Sequence, residues 1–288
     1  MSKKNPEYDF KWCPGCGDFG VKRALEWGVE KRNIELELPM ANTVVVAGIG
    51  CSGNLVHLLD GAQPFGIHGL HGRTLPVSFG IKMAQPDLNV VIVSGDGDFL
   101  SIGAEHIAPQ AQRNLNVTAI VMDNAVYGLT KGQSSPTSEL GMITPTTPFG
   151  KLESALNPLE LYMTLGVSFV ASGFSSKPRE LANMINEGMK HPGFAMIHVQ
   201  SPCTTYFDTT DILKGNARKG IAPTAWDIPE NHDATDRQAA YDLIRQEGIP
   251  LGILYQREES ESLDQRVVAL AQKAAPRTLQ QQLAAFDI

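Results

Sequence analysis

Three short runs of the chain each contain four consecutive apolar residues: TVVVAG at 43–48, NVVIVSGDGD at 89–98 and VTAIVMDN at 117–124. A strand of this kind is buried on both faces, as in a parallel sheet covered by helices. The segments between and after the runs have helical spacing. Residues 19–31 carry Val21, Ala24, Leu25, Gly28 and Val29 on one face, and 74–85 reads as a helix stopped at Pro86 and Asp87. Leu100, Ala104, Ile107, Ala108 and Ala111 mark another helix, which Pro109 should kink or shorten. A strand at 167–172, a helix at 178–190 and a strand at 193–203 continue the alternation. The expected fold is α/β: a doubly wound, mainly parallel sheet with helices on both faces.

Beyond Cys203 the pattern changes. Residues 204–233 lack periodicity and read as an extended, partly looped segment, followed by amphipathic helices at 234–248 and 262–275. Residues 1–206 are therefore expected to form the main domain, and 207–288 a C-terminal extension, looped and then helical.

With 42% hydrophobic and 19% charged residues, the 288-residue composition is that of an ordinary soluble protein. The formal charge of −7 argues against a nucleic-acid surface. No run is long and apolar enough to span a membrane or to serve as a secretory leader, so the cytoplasm is the expected location. In that reducing compartment four cysteines point to metal ligands or reactive thiols ahead of disulfides.

The most informative motif is VVIVSGDGDFLSIGAEH at 90–106, followed by TAIVMDNAVYGLTKGQ at 118–133. Gly95 and Gly97 let the backbone turn sharply at a strand end and approach a phosphate, while Asp96 offers a hard oxygen ligand for a divalent cation. Asn124 ends the next strand, and in a doubly wound sheet adjacent strand ends bring both side chains together. A lone GDG would be only a tight turn with a solvated aspartate; the strand, the asparagine and YGLTKGQ favour the functional reading.

The pair Cys13 and Cys16, in KWCPGCGDFG, suits a redox dithiol, half of a zinc ribbon or two ligands of an iron-sulfur cluster. The other cysteines, Cys51 in GIGCSGN and Cys203 in QSPCTT, are single, which weakens the ribbon. Both follow expected strands, so they can reach the same sheet edge as the GDG loop.

GDGD together with DNAVYGLTKGQSSPTS resembles the thiamine pyrophosphate loop of 2-oxoacid:ferredoxin oxidoreductase beta subunits, and the likeness runs from about Trp12 to Tyr206. The resemblance implies a thiamine pyrophosphate-binding fold in which Asp96, Asn124 and the backbone carbonyl of Val126 hold Mg²⁺ on the cofactor diphosphate. It places Gly50, Ser52, Gly95, Gly97, Asp98, Tyr127, Gly128, Leu129 and Thr130 against the cofactor. GIHGLHGRTLPVSFGIKMA is similar to the same family and puts His71, Gly72 and Arg73 nearby. His71 and Arg73 are then candidate catalytic residues, with Lys131 directed toward substrate or coenzyme A. Cys13, Cys16, Cys51 and Cys203 become the ligands of one 4Fe-4S cluster.

The activity so implied is oxidation of a 2-oxoacid, 2-oxoglutarate first and pyruvate or a broader range second, with coenzyme A as acyl acceptor and ferredoxin as electron acceptor. The reverse carboxylation belongs to the same family. A larger alpha subunit is expected to supply the glutamate that activates the cofactor, in a dimer of alpha-beta heterodimers, so this chain should be inactive alone. Asn54 stands where relatives often carry a basic residue. A non-oxidative thiamine-dependent decarboxylase subunit shares the GDG-to-Asn loop but has no use for four cysteines; a zinc-stabilised binding subunit would leave Asp96 a turn residue. His57, His68, His106, His191, His198 and His232 read as core, cap or surface residues.

Overall fold

The structure, a computed structural model, describes residues 10–62, 64–273, 277–284 and 286. Ten strands are found among them: β1 (Thr43–Ala47), β2 (Phe65–His68), β3 (Asn89–Gly95), β4 (Val117–Asp123), β5 (Val126–Tyr127), β6 (Gln133–Ser134), β7 (Phe169–Phe174), β8 (Phe194–Gln200), β9 (Ala225–Asp227) and β10 (Ile249–Gln256). The helices are α1 (Asp18–Glu35), α2 (Leu55–Leu58), α3 (Thr74–Ala84), α4 (Ile107–Arg113), α5 (Pro158–Leu165), α6 (Pro178–Lys190), α7 (Thr210–Lys214), α8 (Arg237–Ile244), α9 (Leu263–Lys273) and α10 (Leu279–Leu283). The last two residues of the helix expected at 262–275 lie outside the described residues.

One sheet of eight strands organises the molecule, in the order β2-β1-β3-β4-β8-β7-β10-β9. Neighbours from β2 through β7 are parallel; β10 runs antiparallel to β7 and parallel to β9. β1, β3 and β4 are buried almost throughout, as their uniform apolarity predicts. Because successive side chains of a strand point to opposite faces, Val44 and Val46 feed one core layer and Val45 and Ala47 the other. The first layer lies under α3, α4, α5 and α8, and the second under α1, α2 and α6. Gly28 of α1 permits the close crossing over α6, since a Cβ there would stand 2.9 Å from Ile185 Cγ2.

The helix around Pro109 is shortened, one of the two outcomes expected of that proline. A wide turn over Asp98–Ile102 and a short turn at Ala104–His106 precede α4, so the proline falls in the first helical turn, where its missing N–H has no intrahelical partner to lose. The extension after residue 206 contains strands as well as helices: β9 and β10 widen the main sheet, and α8 packs into its core. Among the described residues no helix is long and apolar enough to cross a membrane.

Candidate active site

The carboxyl ends of β1, β3 and β4 are adjacent in the sheet, and the loops leaving them meet in one cleft. Gly50 and Ser52 come from the first loop, Gly95, Asp96, Gly97 and Asp98 from the second, and Asn124, Val126, Tyr127, Gly128, Leu129 and Thr130 from the third. His71 joins them from the turn before α3. Gly97 has no room for a side chain: a Cβ would lie 2.4 Å from the Tyr127 ring, whose hydroxyl donates to the Gly97 carbonyl at 3.1 Å.

Other residues singled out in the sequence lie beside the cleft. The N–H of Gly72 donates to Asp98 at 2.7 Å. The guanidinium of Arg73, which is not among the residues lining the cleft, donates to the carbonyls of Gly72 (3.1 Å) and Ile102 (2.9 Å) and pairs with Glu105 at 3.3 Å, so it braces the loop. Lys131 is exposed, with its backbone in the left-handed region at φ 81°. Asn54 is buried and donates to the Gly50 carbonyl at 2.8 Å, supporting the first loop from behind.

Asp96 is 2% exposed. The hydroxyl of Thr137 lies 2.9 Å from its Oδ2 and 2.7 Å from Asp123 Oδ1. A hydroxyl has one hydrogen and cannot serve both carboxylates. Asp123 has further donors, the Ala125 N–H at 2.9 Å and His198 Nε2 at 2.9 Å. Although burial works against its charge, those bonds and the imidazole hold its carboxyl below the usual range. Asp96 also accepts from Ser135 and the Gly97 backbone, but among the described residues no positive group stands beside it: burial first, and then the Asp123 charge, push it up to about 8 against those bonds. It is a buried carboxylate short of positive charge, which a hard cation would supply. Asn124 follows on the neighbouring strand end; its Oδ1 accepts the Val126 N–H at 3.1 Å, and Ala125 takes a left-handed conformation (φ 56°) to make that turn.

Directly alongside, all four cysteines are free and line a second cavity of about 200 Å³. Cys13 and Cys16 close a tight turn, Cys16 N–H to Cys13 O at 3.1 Å, with Gly15 at φ 80°. That turn is stitched to the segment holding Cys203: Gly17 N–H donates to Pro202 O (3.0 Å), the Thr204 hydroxyl to Pro14 O (3.0 Å) and the Ser201 hydroxyl to Asp18 (2.7 Å). Trp12 Nε1–H donates to Cys51 O at 2.8 Å, joining the third thiol's loop. Burial, and next the Asp18 carboxylate, push the thiol of Cys51 up to about 12 and that of Cys16 higher still. A Cβ on Gly128 would stand 3.5 Å from Cys51 Sγ and 3.9 Å from Cys203 Sγ, so a glycine keeps this wall thin. Among the described residues no three His, Cys, Asp or Glu side chains converge closely enough to hold a single metal ion. The thiols instead stand around a space.

Several residues of the site carried no distinctive signal in the sequence. Thr137, Asp123 and His198 matter only through their mutual geometry, and Asp18 only because the fold lays Ser201 across it. Tyr162, whose hydroxyl is 3.3 Å from His198 Nδ1, extends the same buried network.

Residues 48–199 match the family model of the thiamine pyrophosphate enzyme C-terminal binding domain, and residues 221–272 match that of the C-terminal part of pyruvate ferredoxin oxidoreductase beta subunits. A 2-oxoacid:ferredoxin oxidoreductase subunit beta of Saccharolobus solfataricus is 38% identical over 263 residues, 89% of this chain and 85% of that one. The chain belongs to the 2-oxoacid:ferredoxin oxidoreductase beta subunits. Within that family, the 2-oxoglutarate synthase subunit KorB of Archaeoglobus fulgidus is 39% identical over 205 residues, covering 70% of this chain and 74% of that one. The structure of the 2-oxoglutarate:ferredoxin oxidoreductase from Magnetococcus marinus, with 2-oxoglutarate, coenzyme A and succinyl-CoA bound, superposes with a TM-score of 0.84 at 36% identity, over 98% of this chain and 94% of that one. The expected parallel sheet and the thiamine pyrophosphate-binding class both agree with these relatives.

Proposed function

We propose that this beta subunit binds the diphosphate end of thiamine pyrophosphate in the Asp96 cleft, through Mg²⁺ held by Asp96, Asn124 and the Val126 carbonyl. Cys13, Cys16, Cys51 and Cys203 hold one 4Fe-4S cluster in the adjoining cavity. With its alpha partner it converts 2-oxoglutarate, coenzyme A and oxidised ferredoxin to succinyl-CoA, CO₂ and reduced ferredoxin. The observation that carries this reading is that the two cavities share walls: Cys51, Asn124, Gly128 and Leu129 line both.

Both donor sets suit their groups. Asp96 is a buried carboxylate lacking a counter-charge, and four thiols spread around a cavity match a cluster of several irons better than one ion. When bound, thiamine pyrophosphate supplies the electron sink for decarboxylation. The residues of this chain orient it: Gly95 and Gly97 let the backbone approach the diphosphate, Tyr127 packs against Gly97, and Gly128 keeps the partition to the thiols thin. The cleft, about 110 Å³, is below the roughly 300 Å³ of a complete small-molecule site. A half-site of this size supports the need for an alpha subunit, in a dimer of heterodimers. Residues 1–206 would carry every proposed ligand. The four free thiols suit a cytoplasmic setting.

2-Oxoglutarate is preferred to pyruvate because relatives named for 2-oxoglutarate match 70% and 98% of the chain, whereas the pyruvate-named model matches only residues 221–272. The test is anaerobic co-purification with the alpha subunit, assay of iron, sulfide, magnesium and thiamine pyrophosphate per heterodimer, and reduction of ferredoxin with each 2-oxoacid in turn. About four irons and one thiamine pyrophosphate, with turnover of 2-oxoglutarate above pyruvate, are expected. Cofactor without iron would replace this reading with a non-oxidative decarboxylase, and pyruvate as the better substrate would reverse the substrate assignment.

A further inference from the structure

Asp98, the second acid of the GDGD motif, is 3% exposed at the edge of the cleft. Its carboxylate accepts from three stretches of chain. Oδ1 takes the Ile49 N–H at 3.2 Å, the Gly72 N–H at 2.7 Å and the Nδ1–H of His71; Oδ2 takes the Ser94 hydroxyl at 2.5 Å. Each carboxylate oxygen offers about two lone pairs, so three donors saturate Oδ1, while among the described residues Oδ2 carries the Ser94 bond alone. Gly48 is part of the arrangement, since a Cβ there would fall 1.8 Å from Oδ2.

This bonding places the His71 ring. With Nδ1–H given to Asp98, Nε2 is on the far side of a ring that lines the cleft, and none of the hydrogen bonds found among the described residues uses it. The Tyr127 ring stands edge-on to the imidazole, centroids 6.4 Å apart and planes at 85°, and limits its rotation. The side chain is 38% exposed, open toward whatever fills the cleft.

We propose that Asp98 is a positioning residue that acts through His71: it fixes the imidazole by Nδ1 so that Nε2 meets the bound cofactor and its 2-oxoacid. This rests on the reading of the cleft as a thiamine pyrophosphate site. It removes Asp98 from the set of direct cofactor contacts expected from the sequence. A carboxylate that fixes the tautomer and direction of a working imidazole is a recurrent device, and loss of such a partner typically lowers affinity or rate about 10–100-fold.

The test is a double-variant cycle in the complex with the alpha subunit, comparing Asp98→Asn, His71→Ala and both together, read in thiamine pyrophosphate affinity and in kcat. Asp98→Asn is expected to lower at least one of these by about 10–100-fold in the parent background. On top of His71→Ala it should add no more than about twofold, the non-additivity of two residues acting as a unit. Equal costs in both backgrounds would overturn the inference, because they would make Asp98 a scaffold residue independent of His71. Should Asp98→Asn melt the fold, Ser94→Ala carries the same cycle with an expected loss of about threefold, and additivity there is equally fatal. A complex that binds thiamine pyrophosphate and shows the coupling but turns over no 2-oxoacid refutes the proposed function alone. Failure of the parent to bind the cofactor refutes both.

Discussion

The two cavities at the sheet's carboxyl edge are neighbours built by opposite means. The Asp96 cleft is assembled from consecutive strand ends, and its polar groups are already bonded to one another: Thr137 to Asp96 and Asp123, Asn124 to Val126, Asp98 to Ile49 and Gly72. The cysteine cavity is assembled from three segments far apart in sequence, held by backbone and side-chain bonds, and burial raises the thiols of Cys16 and Cys51. The cleft is shaped by bonds among its own polar groups, and filling either cavity as proposed would release protons, from Asp96 in one and from the thiols in the other. Damage to one cavity should separate cleanly from damage to the other.

The largest separation is expected from Cys203→Ala. Iron content, visible absorption and 2-oxoacid-driven ferredoxin reduction should be lost, while thiamine pyrophosphate affinity, measured by titration calorimetry, stays within about threefold because its ligands are untouched. Retention of full iron would break the four-thiol assignment. Asp96→Asn is the converse. The Mg²⁺-dependent affinity for thiamine pyrophosphate should fall by at least about 100-fold, the upper end of what a supporting partner costs, with iron per heterodimer unchanged.

Acidity sharpens the comparison further. Free of metal, Asp96 holds its proton up to about pH 8. The cation needs the ionised form, so its apparent affinity should rise about tenfold per pH unit from pH 6 toward 8 and then level off, with close to one proton released per ion. Calorimetry in buffers of different ionisation enthalpy counts that proton; a pH-independent affinity would show that Asp96 is not the ligand. The smallest effect is assigned to Thr137→Val, which removes the single hydrogen contested by Asp96 and Asp123. A loss of several-fold up to about 10-fold in metal-dependent cofactor binding is expected, with the cluster spectrum intact.

How much of this was legible differs by element. Helix α6, spanning Pro178–Lys190, appears with the expected bounds because its apolar face has a clear 3.6-residue period and a proline opens its first turn. β10 was hidden by Pro250 and Gly252, the latter at φ 150° where a Cβ would meet Ile228 at 2.4 Å, and by a register shift between Ile253 and Tyr255. β2 was hidden for a different reason: at the sheet edge it is exposed throughout and carries no burial pattern. Arg73 drew attention by its place in a motif, yet its reach is taken up by the carbonyls of Gly72 and Ile102.

Periodicity and uniform apolar runs were sufficient by themselves to predict a covered parallel sheet, and the glycine-aspartate spacing to predict a sharp loop at its carboxyl edge; the diphosphate role of that loop came from the family resemblance. These are local properties, set by which residues suit a buried strand, a helix face or a sharp turn. Tertiary structure alone decided that one threonine hydroxyl stands between two carboxylates, that Asp98 accepts from Ile49, His71, Gly72 and Ser94 together, and that Ser201 bonds to Asp18 beside the thiols. Each depends on distance and direction between residues remote in sequence, and a hydrogen bond or a desolvated charge acquires its strength only from that placement.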